Sequence, residues 1–171
     1  ITTTDLTISL PPTLNFEQFG GYSKIAAVER HHNTGKIGVA VAKGYGIRNG
    51  AVASSVSHDS HNIIVIGDND ADMAIAVNEI IRTQGGYTVV ENGKVYETLA
   101  LPIMGLMSDA GFENVNEALQ RMIQKAHQMG VASKIDPFVT LSFLALPVIP
   151  ELRITPRGIC KMTAKGPAIL S

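Results

Sequence analysis

The sequence has a single cysteine and no tryptophan, and aromatic residues make up only 5% of its 171 residues. The lone thiol, Cys160, has no partner for an internal disulfide, so we expect a reducing, cytoplasmic compartment. We interpret Cys160 as a small packing residue rather than a nucleophile. With so few rings, the core must be aliphatic, and the hydrophobic content of 45% is sufficient to build one.

Neither sign of charge dominates: the sequence has 14 Lys and Arg residues and 15 Asp and Glu residues, which gives a net charge of -1 with histidine neutral. Nucleic acids and anionic membranes select basic surfaces, so we expect neither as a partner. No apolar run approaches the roughly 18 residues of a membrane span, and the sequence shows no basic-then-apolar signal-peptide pattern. The chain begins with Ile1 rather than Met, which we interpret as a cut inside a longer protein.

Several enzyme motifs are absent from the sequence: the Walker A loop, G-x-S-x-G, H-E-x-x-H and C-x-x-C. The Gly44-Tyr45-Gly46 segment lacks the third glycine and the helix of a dinucleotide fingerprint. We therefore interpret it as a tight turn or a close backbone approach. Nothing here indicates nucleotide-phosphate binding or a hydrolase of these classes.

Short apolar runs predict strands at residues 23–29, 37–42 and 62–67. The last run has four consecutive β-branched residues, which indicates a strand buried on both faces. Asn92 and Gly93 between two apolar runs predict a hairpin. Residues 50–57 fit either a helix or a buried strand.

Helical periodicity follows residue 68, where Asp68 or Asn69 is a suitable cap. We expect its apolar stripe to contain Met73, Val77, Ile80 and Ile81. A second helix is predicted at 113–129, and a short helix followed by an extended piece at 137–150. The predicted class is therefore α/β or α+β, a single sheet with helices packed on it, forming one domain of a larger enzyme. Residues 1–23 are expected to be a linker or arm, and residues 24–171 the domain.

A polar cluster precedes the strand at 62–67, and its candidate ligand-binding residues are His58, Asp59, His61 and Asn62. Imidazole, carboxylate and amide groups suit a polar ligand, and loops at strand ends commonly hold such groups. The alternative is a turn in which Asp and Asn cap the backbone.

A second cluster ends the first predicted strand and contains Glu29, Arg30 and His31. Alone it fits a solvated hairpin turn, and it becomes a candidate binding cluster only if it folds beside His58 and His61. A metal site would need ligands assembled from these separate segments, so we assign no metal ligand. Met104 and Met107 are expected to fill the core or form an interface.

The chain resembles the C-terminal domain of bacterial adenine deaminases, which belong to the amidohydrolase superfamily. Five stretches carry the resemblance: residues 28–36 (beginning Val28-Glu29-Arg30-His31-His32), 44–46 (Gly-Tyr-Gly), 50–64 (beginning Gly-Ala-Val-Ala-Ser-Ser), 101–109 (Leu-Pro-Ile-Met-Gly-Leu-Met-Ser-Asp) and 140–152 (Thr-Leu-Ser-Phe-Leu-Ala-Leu-Pro-Val-Ile-Pro-Glu-Leu). Together they indicate similarity over about residues 24–159.

The resemblance implies a parent hydrolase that converts adenine and water to hypoxanthine and ammonia in purine salvage, cleaving a cyclic amidine C–N bond. It implies a divalent metal pair, manganese or iron, held in an N-terminal barrel by motifs that include an H-x-H pair. No H-x-H occurs in this sequence. We therefore assign no catalytic residue and no cofactor to the chain and expect it to be inactive by itself. Its expected partners are the barrel, adenine in the parent enzyme, and further copies in a homo-oligomer.

Three hypotheses remain open. In the first, the chain is an accessory domain whose loop 57–62 faces the active site and binds or encloses the purine. In the second, it is a structural or oligomerisation module whose important surface lies at residues 103–107 and 138–149. In the third, it is an independent metal-dependent hydrolase.

Overall fold

The computed structural model describes residues 21–170. Nine strands are present in this part of the chain: β1 (Tyr22–Val28), β2 (Ile37–Lys43), β3 (Gly50–Ser54), β4 (Ile63–Gly67), β5 (Gly86–Glu91), β6 (Lys94–Ala100), β7 (Leu152–Thr155), β8 (Gly158–Thr163) and β9 (Gly166–Ile169). The helices are α1 (Asp70–Arg82), α2 (Phe112–Gln128) and α3 (Pro137–Leu144). The expected arm at 1–23 lies outside the described residues except for its last three.

The first six strands form one antiparallel sheet in the order β2-β1-β4-β3-β5-β6. This arrangement, with three helices packed on the sheet, confirms the α+β class. Residues 50–54, which fitted either a helix or a strand, form β3. Strands β7 to β9 add a small second antiparallel sheet. It packs so closely on β2 that a Cβ built at Gly38 would lie 1.9 Å from the carbonyl oxygen of Thr155.

The main sheet has a core on each face, as the β-branched run at β4 predicted. Ile64 and Ile66 face α2 and α3, where Met122 and Leu141 are fully buried. The alternate β4 residues belong to the second core, which α1 covers. Strand β4 contributes to both cores because successive side chains along a strand point to opposite faces of the sheet.

Helix α1 begins as the sequence predicted, because the side chain of Asn69 accepts the N–H of Asp72 at 2.8 Å. Met73 and Ile80 are buried, but Ile81 is 57% exposed, so its place in the apolar stripe was wrongly predicted. Position 81 lies about 100° around the helix from Ile80, which turns its side chain away from the sheet.

Two other sequence expectations concern turns and surface. Gly46 makes the close backbone approach expected of it, since a Cβ there would lie 2.6 Å from the carbonyl oxygen of Gly130. The stretch 138–149, which the second hypothesis treats as a surface, is mixed: Phe138 and Leu141 are core residues, whereas Val139 and Val148 are 52% and 63% exposed. Within residues 21–170, no helix has the length and hydropathy that crossing a membrane demands.

Candidate functional site

The two polar clusters meet at one end of the sheet. Strand β1 pairs antiparallel with β4, and Val28 is opposite Ile63. The residues that follow β1 therefore lie beside those that precede β4. This is the juxtaposition that the binding interpretation of Glu29, Arg30 and His31 required.

Arg30 makes most of the connections between the clusters. Its backbone N–H donates to Oδ1 of Asn62 at 3.2 Å, and its Nε donates to the carbonyl oxygen of His61 at 2.6 Å. Its Nη2 donates to the carbonyl oxygen of Met104 at 2.7 Å. Burial lowers the pKa of Arg30. One guanidinium therefore ties together three segments that are distant in sequence.

Glu29 organises the turn after β1. Its carboxylate accepts the backbone N–H groups of His31 at 2.5 Å, His32 at 2.8 Å and Thr34 at 3.1 Å, and the hydroxyl of Thr34 at 3.0 Å. These hydrogen bonds lower the pKa of Glu29 from 4.5 to about 2, and the bond from the Thr34 N–H has the largest effect. The His31 ring reaches the other cluster, with Nε2 2.6 Å from the carbonyl oxygen of Ser60.

The loop 57–62 is closed by His61, whose N–H donates to the carbonyl oxygen of Ser57 at 2.6 Å. The Ser57 N–H donates to Nδ1 of His61 at 3.4 Å, which places the proton of a neutral ring on Nε2. Burial is the main cause that lowers the pKa of His61, followed by the positive charges of His58 and Arg30, while Asp59 opposes them.

His58 and Asp59 are the more accessible groups of the loop. The His58 ring lies 5.4 Å from the Phe143 ring and 6.0 Å from that of His61, measured between centroids. Its Nδ1 is 3.6 Å from a carboxylate oxygen of Asp59, and the two side chains are 41% and 86% exposed. They can therefore meet a ligand that approaches from solvent.

A cavity of about 210 Å³ opens beside the loop. Asp59, Ser60 and Asn62 form its polar wall, and residues 145–148 with Thr155 and Pro156 form a mainly apolar wall. The second hypothesis treats residues 138–149 as a surface, but the sequence does not place them beside loop 57–62, because that proximity depends on the tertiary fold.

The sequence also missed the turn at residues 103–107 as a neighbour of the site. Met104 and Met107 are 75% and 53% exposed, so of the two expected roles, filling the core is excluded and forming an interface stays a prediction. Ser55 Oγ donates to the carbonyl oxygen of Gly105 at 2.6 Å and fixes the turn beside β3.

A metal pair does not fit the described residues. Among residues 21–170, no three His, Cys, Asp or Glu side chains converge as a metal would require. Glu29 is occupied by its own turn, and Nε2 of His31 lies against a backbone carbonyl.

The fold and site thus define an α+β domain that presents an ordered polar loop beside a small cavity. The chain belongs to the adenine deaminase C-terminal domain family, which matches residues 3–165. It is 54% identical over 138 residues to an adenine deaminase of Desulfitobacterium hafniense, covering 81% of this chain and 24% of that protein. It is 46% identical over 153 residues to an adenine deaminase of Petrotoga mobilis, covering 88% of this chain and 27% of that protein. The chain thus spans about a quarter of the length of these relatives.

Proposed function

We propose that this chain is the accessory C-terminal domain of an adenine deaminase and that loop 57–62 faces the active site. The parent enzyme would hydrolyse adenine to hypoxanthine and ammonia, as part of purine salvage in the cytoplasm. The names of the relatives support the reaction, and the polar loop of this domain supports the contact with substrate.

The observation that carries the proposal is the way Arg30 holds the loop. Arg30 binds the His61 carbonyl and the Asn62 side chain, so the loop is fixed from its inner side. His58 and Asp59 remain exposed, and Nε2 of His61 has no hydrogen-bond partner among residues 21–170. A binding loop with a fixed backbone and open polar atoms loses little conformational entropy when a ligand binds.

The chemistry of these groups suits a purine. Nε2–H of His61 can donate to a ring nitrogen of adenine, and the Asp59 carboxylate can accept from the exocyclic amine. We assign His58, Asp59 and His61 to the purine. We assign Asn62, Glu29, Arg30 and His31 to holding those three in position.

The manganese or iron pair that the family resemblance implies is assigned to the N-terminal barrel, because the described residues do not fit it. We place neither a metal ligand nor a catalytic base in this chain. Assembly of the full-length protein into a homo-oligomer is a further part of the proposal, which sedimentation tests.

Chemical protection tests the location of the loop. In the full-length protein, diethyl pyrocarbonate acylates accessible histidines, and adenine or a slowly hydrolysed analogue should slow the modification of His58 and His61. His32, an exposed histidine of the β1–β2 connection, is the control whose rate should not change. Equal modification rates with and without purine at His58 and His61 would support a purely structural loop. The hydrogen bonds of Glu29 to Thr34 and of Asn62 to Ser60 are consistent with that alternative as well.

A further inference from the structure

Residues 103–107, here named the Met104 turn, form a closed hairpin-like turn after β6. The N–H of Ile103 donates to the carbonyl oxygen of Met107 at 3.1 Å, and the reciprocal bond is 3.2 Å. Met104 has a φ of 59°, in the left-handed region that L-residues seldom occupy. A residue other than glycine keeps this backbone conformation only where the surrounding structure holds it in place.

The turn presents apolar side chains to solvent. Ile103, Met104 and Met107 are 44%, 75% and 53% exposed. Residues 101–108 include no charged side chain. A single exposed apolar residue is ordinary, but three on one ordered turn form the kind of patch that contacts another surface.

Two polar anchors fix the position of the turn relative to the candidate site. Arg30 donates to the Met104 carbonyl, and Ser55 donates to the Gly105 carbonyl. Gly105 lies against the guanidinium so closely that a Cβ there would be 2.4 Å from Nη1 of Arg30. Because Arg30 also binds the His61 carbonyl, the turn and loop 57–62 are neighbours joined through one guanidinium.

We infer that the Met104 turn docks into an apolar recess on the part of the same polypeptide that precedes this domain. The inference rests on the proposed function, since it names the partner that faces the same site. The family is described as a C-terminal domain, and the chain spans only about a quarter of its relatives. A preceding part that faces loop 57–62 therefore meets the Met104 turn as well.

The connection is long enough for this contact. Gly21 lies just before β1, and Arg30 lies just after it. The seven residues of the strand place these two ends roughly 23 Å apart. A chain of twenty residues spans at most about 72 Å when fully extended, so the length of residues 1–20 does not prevent the preceding part from reaching the turn.

Methionine oxidation in the full-length protein measures the contact directly. Exposure controls the reaction of methionine with peroxide, and docking should make Met104 react about tenfold more slowly than in the denatured protein. The protection should be independent of protein concentration. Oxidation of Met104 at the rate measured in the denatured protein would overturn the inference. Protection that disappears on dilution would overturn it as well, because a second copy of the protein would then be what shields Met104.

A matched pair of substitutions tests the consequence for stability. Met104→Asp should divide the thermal unfolding of the full-length protein into two transitions, since a charge in an apolar recess undocks the domain. Val95→Asp is the control, because Val95 is 39% exposed near the opposite end of β6 and should leave one transition. A single unchanged transition in Met104→Asp would contradict docking.

These readouts separate the two proposals. Met104 can be protected while adenine leaves His58 and His61 unprotected, in which case docking is supported and purine contact fails. Protection of the histidines together with a freely oxidised Met104 would support purine contact and overturn docking.

Discussion

Nε of Arg30 lies 2.6 Å from the carbonyl oxygen of His61, joining residues that are 31 positions apart in sequence. The bond connects the end of β1 to the loop that leads into β4. It is available because β1 and β4 are neighbours in the sheet, with Val28 opposite Ile63. The backbone of the proposed binding loop is therefore positioned by a residue outside the loop.

Arg30→Lys should destabilise the domain although it keeps the charge. A lysine cannot supply both side-chain hydrogen bonds, to the carbonyl oxygens of His61 and Met104, with the geometry of the planar guanidinium. We expect a loss of about 1–3 kcal/mol in the free energy of unfolding, measured by urea denaturation. Arg157→Lys is the control, because the Arg157 side chain is exposed and the hydrogen bond described for this residue is made by its backbone N–H, so the free energy of unfolding should hardly change. Equal losses for the two variants would contradict the role assigned to Arg30.

Gly105→Ala should cost more stability than Gly93→Ala. Both glycines have a positive φ, 75° and 77°, so each substitution should cost about 1–2 kcal/mol from backbone conformation alone. A Cβ at Gly93 meets no atom within 4 Å, whereas one at Gly105 must displace the Arg30 guanidinium. The difference between the two unfolding free energies isolates that contact. Finding no difference would show that Arg30 moves aside without cost.

The turn held by Glu29 should survive into strong acid. The pKa of Glu29 is lowered from 4.5 to about 2, so its carboxylate contributes stability that is present above pH 4.5 and is lost as pH falls through about 2. The amide NMR shift of Thr34, whose N–H donates to this carboxylate, should titrate with a midpoint near 2. Glu29→Gln should abolish that titration. A midpoint at 4 or above would mean that the turn is not formed in solution.

His61 should titrate below the ordinary histidine pKa of 6.5, because burial and nearby positive charges oppose its protonation. The unfolded chain then binds the proton first, so this contribution to stability is present above pH 6.5 and is lost as pH falls through the lowered pKa. Asp59→Asn should lower the pKa of His61 further, since the Asp59 charge raises it. Histidine NMR titration measures both values, with the exposed substitution Glu117→Gln as the control. An unchanged or higher pKa in Asp59→Asn would contradict the geometry of the loop.

Local sequence patterns were sufficient for much of the fold. The Asn92-Gly93 turn and the cap of α1 involve neighbours in the chain; the turn forms as predicted, and Asn69 is the one of the two predicted cap residues that caps the helix. The bond between Arg30 and His61 depends on which strands pair, a long-range property that no local pattern contains. The role of Met104 stayed open between core and interface for a related reason, because apolar composition alone does not distinguish a core segment from a turn held at the surface.

The central claim, that loop 57–62 contacts the purine, is tested most directly by kinetics of the full-length protein carrying His61→Ala or His58→Ala. Each change should reduce kcat/KM for adenine about ten- to a hundredfold, equivalent to about 1–3 kcal/mol, while the Tm changes little. The control His32→Ala should alter neither quantity. A lowered Tm with normal kcat/KM in both histidine variants would contradict the account and leave the loop as a structural brace.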